Sequence, residues 1–333
     1  MANSLPVRSP RPIRLLEQTL WGQAVRYRLK RLESTFEKLP THDFLCRPSG
    51  DYTDAAIMRL PKNATILHKA RRCLYLSLFA VRPESQGKGL GTALLKEALE
   101  QCENFDLVYA YIEADNWPSR KVFQKAGFKE LHEFRAVVLS RYAPKLSTGT
   151  SSLEPDEKSY MTTLLNDLYR NHALCDFETS LDPKSYWVVR DSAGIVAGAQ
   201  IYPQEWAIEE MKGPDGWFLM NIFPRLPRMK RLFNPDPCRF LKLGNLYARP
   251  GEEKRLMELI EHQMARHGLN TALAYVDPQS PVYKRLKATG SLGLLHALMQ
   301  FPVVVSCLPI HLTPQEVDKL QQGPLVLSPI DVG

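Results

Sequence analysis

The sequence predicts an α/β protein in which one plan of strands and helices is written twice. Three observations carry that expectation. An apolar strand, Leu74 to Val81, passes through a polar turn into Gln86-Gly87-Lys88-Gly89-Leu90-Gly91, and a helix follows with Leu90, Ala93, Leu94, Ala98 and Leu99 on one face. A second strand, Leu107 to Glu113, leads to Asn116 and a helix opened by Pro118 and closed by Gly127-Phe128. Beyond residue 142, short sequences of the first half return in order at nearly one offset.

Taken in order, residues 1–12 are rich in Pro and Arg and read as loosely ordered. From Ile13 to Leu39, the spacing Leu15, Leu16, Leu20, Val25, Leu29, Leu32, Phe36, Leu39 fits one or two amphipathic helices. Arg26, Arg28, Lys30 and Arg31 then form a solvated face. Asp43 to Arg47 and Thr53 to Leu60 read as a hairpin turned at Pro48-Ser49-Gly50-Asp51. After the two strand–helix units, a last strand runs from Phe128 to Tyr142. Residues 143–158, rich in Ser, Thr and Pro, read as a linker that separates 1–142 from 159–333.

The echoes lie beyond that linker. Asn245-Leu-Tyr-Ala-Arg-Pro250 repeats Leu78-Phe-Ala-Val-Arg-Pro83, offset by 167, and Leu273-Ala-Tyr-Val276 repeats Tyr109-Ala-Tyr-Ile112, offset by 164. Leu295-His296 before Val303 to Ser306 repeats Leu131-His132 before Ala136 to Ser140. The glycine loop does not return. Arg249-Pro250-Gly251-Glu252-Glu253-Lys254 stands in its place, and two carboxylates there repel a phosphate. Ser280 stands at the Asn116 offset and Ser291 at that of Gly127. The second half also carries an insertion, about Trp206 to Arg239, rich in aromatic and basic residues. It reads as a surface loop with its own small core, as a lid over an acceptor, or as a homo-oligomer contact.

The glycine loop has a chemistry of its own. Glycines at 87, 89 and 91 remove Cβ atoms that hold a ligand off the backbone. The helix behind them presents unpaired N–H groups and the positive end of its dipole, a seat for phosphate or pyrophosphate beside the charge of Lys88. On the glycines alone, a flexible strand-to-helix connection stays as the bland alternative. A Walker loop fails because Gly91 is followed by Thr92-Ala93. A dinucleotide fingerprint is damaged by Arg82 to Ser85 between strand and glycines and by Thr92. Glu113 closes the next strand at a fitting distance, so that alternative stays open.

The two segments together, Gln86-x-x-Gly89-x-Gly91 and Asn116 to Gly127-Phe128, resemble the GNAT superfamily of acyl-CoA-dependent N-acyltransferases, in order and at family spacing. With the echoes, the resemblance implies two mixed, mainly antiparallel sheets flanked by helices, in tandem, the second copy without an acyl-CoA site. It implies acetyl-CoA or another acyl-CoA as co-substrate, no metal, and direct attack of an amine on the thioester. The pyrophosphate falls to Gln86, Gly87, Lys88, Gly89, Leu90, Gly91 and Thr92. The pantetheine arm falls to the strand at Phe79, Ala80 and Val81 and to Asn116 and Ser119 opposite. By position the Phe79 N–H is the oxyanion donor. Tyr75 stands where some members place a basic Glu, and its ordinary role is a core aromatic. Glu113 is the nearest carboxylate, and a solvated sheet end explains it equally. Phe123 stands where many members carry a Tyr that protonates the leaving thiolate. Tyr109, Tyr111 and Ser119 are then the candidate donors through water.

Composition sets outer bounds. The chain has 333 residues, 44% hydrophobic and 24% charged, enough for two cores. No apolar run approaches the roughly 18 residues of a membrane span, and the opening segment lacks an apolar signal core. Six scattered cysteines without a Cys-x-x-Cys pair read as reduced thiols of a cytoplasmic protein. The formal net charge of +7 comes without a long Lys/Arg run, so no nucleic acid and no membrane are expected as partners. The polyanionic acyl-CoA accounts for a basic face. The function expected is transfer of an acetyl group to a primary amine. The alternative is an acyl-CoA-binding regulator or scaffold with impaired catalysis.

Overall fold

Strand β1 (Val25–Leu29) occupies a place where the spacing predicts helix. Val-Arg-Tyr-Arg-Leu alternates with period two, and that alternation wins over the looser helical pattern. Tyr27 and Leu29 are buried, while Arg26 and Arg28 reach out to Glu210 and Glu209. Short helices, Ile13–Gln18 and Leu32–Phe36, stand on either side. The computed structural model describes residues 12–36, 42–49, 52–290, 292–299, 302–326 and 328. The expectations for residues 1–11, Leu39, Gly50, Asp51 and Ser291 lie outside these.

Strands β2 (Asp43–Ser49), β3 (Tyr52–Ile66) and β4 (Lys69–Val81) form an antiparallel meander longer than predicted. β3 and β4 meet at Leu67-His68, both with positive φ (48° and 67°), as a tight hairpin demands. β5 (Leu107–Glu113) joins β4 in parallel after the helix Leu90–Leu99, which buries Leu94, Leu95 and Ala98. The helix Trp117–Lys125 leads to β6 (Lys129–Ser140).

The expected linker carries a short strand, β7 (Thr150–Ser152). Then follow β8 (Leu174–Cys175), β9 (Tyr186–Asp191), β10 (Gly194–Met211), β11 (Cys238–Ala248), β12 (Thr271–Val276) and β13 (Val303–Pro309). β10 continues through Trp206 to Met211 because β1 pairs with its end. The inserted helices therefore begin only at Gly213, as Gly213–Asn221 and Pro227–Leu232.

Where two sheets are predicted, the structure joins all the strands in one. The order is β2-β3-β4-β5-β13-β6-β12-β11-β10-β9-β7, with β1 on β10 and β8 on β3. The strand that ends the first half, β6, pairs along Arg135–Ser140 with β12. The strand that ends the second half, β13, pairs with β5 from Val303↔Glu113 to Pro309↔Leu107 and with the first part of β6. β6 serves both neighbours because it is 12 residues long and nearly continuously apolar from Phe134 to Leu139. A buried ion pair also ties the halves, Lys62 Nζ lying 2.9 Å from Asp176 Oδ2. Among the described residues, no helix is long and apolar enough to cross a membrane.

Candidate active site

β4 and β5 pair only from Cys73↔Leu107 to Leu76↔Ala110 and then diverge. The cause lies in β4. Leu78 adopts a left-handed conformation (φ 48°), and the register with β3 shifts between Ala56 and Met58, so Leu78 and Phe79 fall in a bulge. The bulge turns the strand away from β5 and leaves main-chain groups from Ser77 to Val81 without a partner strand on that side. A cavity of about 120 Å³ fills the opening, bounded by Leu78, Phe79, Ile112, Asn116, Ser119 and Phe123 among others.

The glycine loop stands at the outer end of this opening. Gly87 and Gly89 have φ of 74° and 79°, and a Cβ on either would point into open space. Gly89 caps the helix Leu90–Leu99, so the unpaired N–H groups of its first turn face the loop. Gly91 has another reason to be glycine: its Cβ would lie 3.1 Å from the Phe79 ring, so the residue lets helix and strand approach. Gln86 turns back onto its own strand, donating from Nε2 to Val81 O at 2.9 Å. Lys88 and Thr92 are exposed.

Glu113, at the end of β5, lines this opening and also a second, larger cavity of about 630 Å³ beside the inserted helix Pro227–Leu232. Tyr27 Oη donates to Glu113 Oε1 and Gln23 N–H to Oε2, both at 3.2 Å. Paired main-chain bonds between Trp21 and Tyr27 close the loop that presents Gln23. That loop turns at Gly22 (φ 78°), where a Cβ would strike Val25 O and approach Glu113. Burial pushes the Glu113 carboxyl up to about 7, the charge of Asp115 adds to the rise, and the bonds from Tyr27 and Gln23 offset it only in part. The group is therefore poised to take a proton near neutral pH.

A strand opened by a bulge beside a glycine-capped helix is the geometry that the sequence motifs foreshadow, and residues 54–128 match the family model of the acetyltransferase (GNAT) family. This segment is a GNAT domain. Across nearly the whole chain the fold is similar to that of Saccharomyces cerevisiae N-myristoyltransferase with bound myristoyl-CoA. Identity is 12% and the TM-score 0.59, over 93% of this chain and 83% of that one. A fungal multi-domain β-N-acetylglucosaminidase with a GCN5-related glucosamine N-acetyltransferase region is also similar, at 14% identity and TM-score 0.53, over 85% of this chain and 35% of that one. At such identities the likeness establishes fold. The family match itself covers residues 54–128.

Within the GNAT domain the predicted residues do not all converge. Phe79, Glu113, Asn116, Ser119 and Phe123 surround the opening. Asn116 Oδ1 also caps the next helix by accepting from Ser119 N at 3.3 Å. Tyr75 reaches the opening but is buried, its ring against Tyr109 and Tyr111 and its hydroxyl donating to Ser77 Oγ at 3.1 Å. Phe123 is buried between Phe79 and Phe128. Of the candidate proton donors, Ser119 and Tyr111 line the cavity, whereas the Tyr109 hydroxyl accepts from Lys62 Nζ at 3.2 Å. The sequence expectations miss Tyr27, Gly22 and Gln23, which hold Glu113. The alternation in Val25–Leu29 was the available signal.

Proposed function

We propose that the protein transfers an acetyl group from acetyl-CoA to a primary amine, with Glu113 as general base. The observation that carries this is the place of Glu113. It stands on the wall shared by the GNAT opening and the larger cavity, with its proton affinity raised to the working range. An alkyl ammonium of pKa about 10.4 is neutral in roughly one molecule in 2,500 at pH 7, so a base at the point of attack is worth about 10² to 10⁴ in rate.

The glycine loop and the first turn of its helix take the pyrophosphate, and the edge of β4 at Phe79, Ala80 and Val81, turned from β5, takes the pantetheine amides. The Phe79 N–H, next to the left-handed Leu78, serves as donor to the developing oxyanion, a contact worth about 3 kcal/mol. Attack forms the new C–N bond, collapse of the tetrahedral intermediate expels the thiolate, and Glu113 receives the proton of the amine. Ser119 and Tyr111 are placed to return a proton to sulfur through water. We further read the two halves as repeated units, of which the second has no acyl-CoA site.

Thiol release from acetyl-CoA across a panel of amines tests the proposal: turnover with any amine is expected. Saturable acetyl-CoA binding with no turnover across the panel points instead to an acyl-CoA-binding regulator. The buried Phe123, at the place of a proton donor, is the observation that favours that second reading.

A further inference from the structure

We propose that the larger cavity holds the acceptor, and that the acceptor is a long amphipathic amine with an apolar body and an anionic group far from its amine. The inference rests on the acyl-transfer function proposed above and names the substrate class of that same site. The cavity, about 630 Å³, lies beside the inserted helix Pro227–Leu232 and meets the GNAT opening at Tyr27, Glu113, Tyr275 and Val303. Its two ends differ in charge.

At one end stand Glu113 and Asp115, and the Asp115 side chain has no ion-pair partner among the described residues. Two carboxylates suit an ammonium and not an acyl chain. At the other end stand Lys230 and Arg231 of the helix Pro227–Leu232, exposed and likewise without ion-pair partners among the described residues. β12 measures the separation. Its Val276 end lies level with Glu113 but three strands away across β6 and β13, by the pairs Val276↔Arg135, Val303↔Phe134 and Val303↔Glu113, about 14 Å at ~4.8 Å per strand. At its Thr271 end, Thr271 Oγ1 donates to Leu232 O, beside Arg231. The five steps from Thr271 to Val276 span about 17 Å along the strand at ~3.3 Å each.

Between the ends the walls are apolar and aromatic. Tyr27 and Trp206 stack with centroids 4.3 Å apart, Phe240 meets Trp206 edge-on at 4.9 Å, and Leu273 and Tyr275 come from β12. A polyamine finds no partners along such a wall, and an amino sugar would bury hydroxyls there without acceptors. An extended hydrocarbon or aryl chain with an amine at one tip and a carboxylate or phosphate at the other meets both ends and the wall together.

The probes are 12-aminododecanoate, dodecylamine, spermidine and glucosamine, with acetyl-CoA as donor. The kcat/KM for 12-aminododecanoate is expected to exceed those for spermidine and glucosamine by at least about tenfold. The double variant Lys230→Ala, Arg231→Ala should raise KM for 12-aminododecanoate by about threefold to tenfold, the worth of two exposed charge pairs, and for dodecylamine by far less. Preference for spermidine or glucosamine, or equal effects of the double variant on both dodecyl amines, overturns the inference. So does a higher kcat/KM for dodecanoyl-CoA than for acetyl-CoA with 12-aminododecanoate acting as its competitor, since the cavity then holds the acyl chain. Equilibrium dialysis of 12-aminododecanoate against the CoA-loaded protein reads the same contacts without turnover. Binding weakened by the double variant supports the inference, and no binding overturns it. Loss of acetyl-CoA binding itself, read by calorimetry, overturns the acyl-transfer proposal instead.

Discussion

The molecule opens two parallel strand pairs in the same way, and only one of the openings is free. In the first half β4 leaves β5 after Leu76, at the left-handed Leu78. In the second half β11 pairs with β12 only at Leu241↔Ala272 and Lys242↔Leu273, and the left-handed residue is Asn245 (φ 46°), offset from Leu78 by 167. There, main-chain carbonyls of β11 are already engaged. Tyr186 Oη donates to Asn245 O at 2.9 Å and Tyr169 Oη to Leu246 O at 2.8 Å, both rings buried. The Asn245 side chain donates to Gln200 Oε1 at 2.9 Å. Gly198 makes room, since a Cβ on it would lie 2.5 Å from the Tyr186 ring.

The carboxylates at the ends of the two strands part in the same way. Glu113 faces two cavities, whereas Asp277, offset from it by 164, is fully buried. It lies 3.3 Å from His132 Nδ1 and accepts from the main-chain N–H groups of Gln279 and Leu325. The glycine loop of the first half is matched by Glu252 at the cap and Glu253 in the first turn of the helix Glu253–His267, with Glu253 paired to Arg285 at 3.2 Å. A bulge thus opens a sheet but does not make a site. What separates the two openings is that buried tyrosines engage the edge of β11 at Asn245 and Leu246, whereas the edge of β4 meets Gln86 Nε2 at Val81 O and borders a cavity.

Changes on either side of this comparison are expected to have unequal effects. Replacing Glu113→Gln should lower kcat by about 10² to 10⁴ with acetyl-CoA affinity kept, and abolish a rise of kcat/KM through pH 7; an unaltered pH profile removes Glu113 as the base. Gly89→Glu sets a carboxylate in the open loop and should weaken acetyl-CoA binding at least about 100-fold in calorimetry. Gly89→Ala carries the backbone strain, about 1–2 kcal/mol, without the charge and separates the two causes. Wild-type protein should bind one acetyl-CoA per chain, and a second equivalent would show that the second opening is not closed.

The linkage of Glu113 gives a subtler effect. Its folded-state pKa is raised, so the folded protein binds this proton more tightly than the unfolded chain does. The resulting stability is full below about pH 4.5 and is lost as pH rises through about 7, about 3 kcal/mol in all. Glu113→Gln should therefore melt higher than wild type at pH 8, by more than at pH 5. Smallest is Tyr186→Phe, which leaves Asn245 O unpaired and should cost about 1–3 kcal/mol in denaturant titration without changing acetyl-CoA affinity.

Much of the fold was legible because its signals are local. Gly87 and Gly89 carry positive φ, Asn116 and Ser280 cap the helices that follow them, and the echo at Leu78 and Asn245 marks the same backbone event in both halves. The candidate site was legible only in part. Phe79, Asn116 and Glu113 could be placed from their distance to the motifs, but the partners of Glu113 come from a segment about 90 residues earlier. The helical spacing of Leu15 to Phe36 hid the alternation of Val25–Leu29, since apolar residues at these positions satisfy both periods.

By itself, the sequence determined where the backbone bends, where helices begin, and that the second half has acids where the first has glycines, because turns, caps and charges are properties of neighbours in the chain. Tertiary structure decided the rest. β6 and β13 cross to each other's half, β1 reaches over to β10, and the larger cavity is lined from both halves, because pairing edges and buried faces are matched only when distant segments meet. Whether a carboxylate such as Glu113 titrates near 7 or is clamped like Asp277 depends on what packs around it, and no spacing in the chain records that.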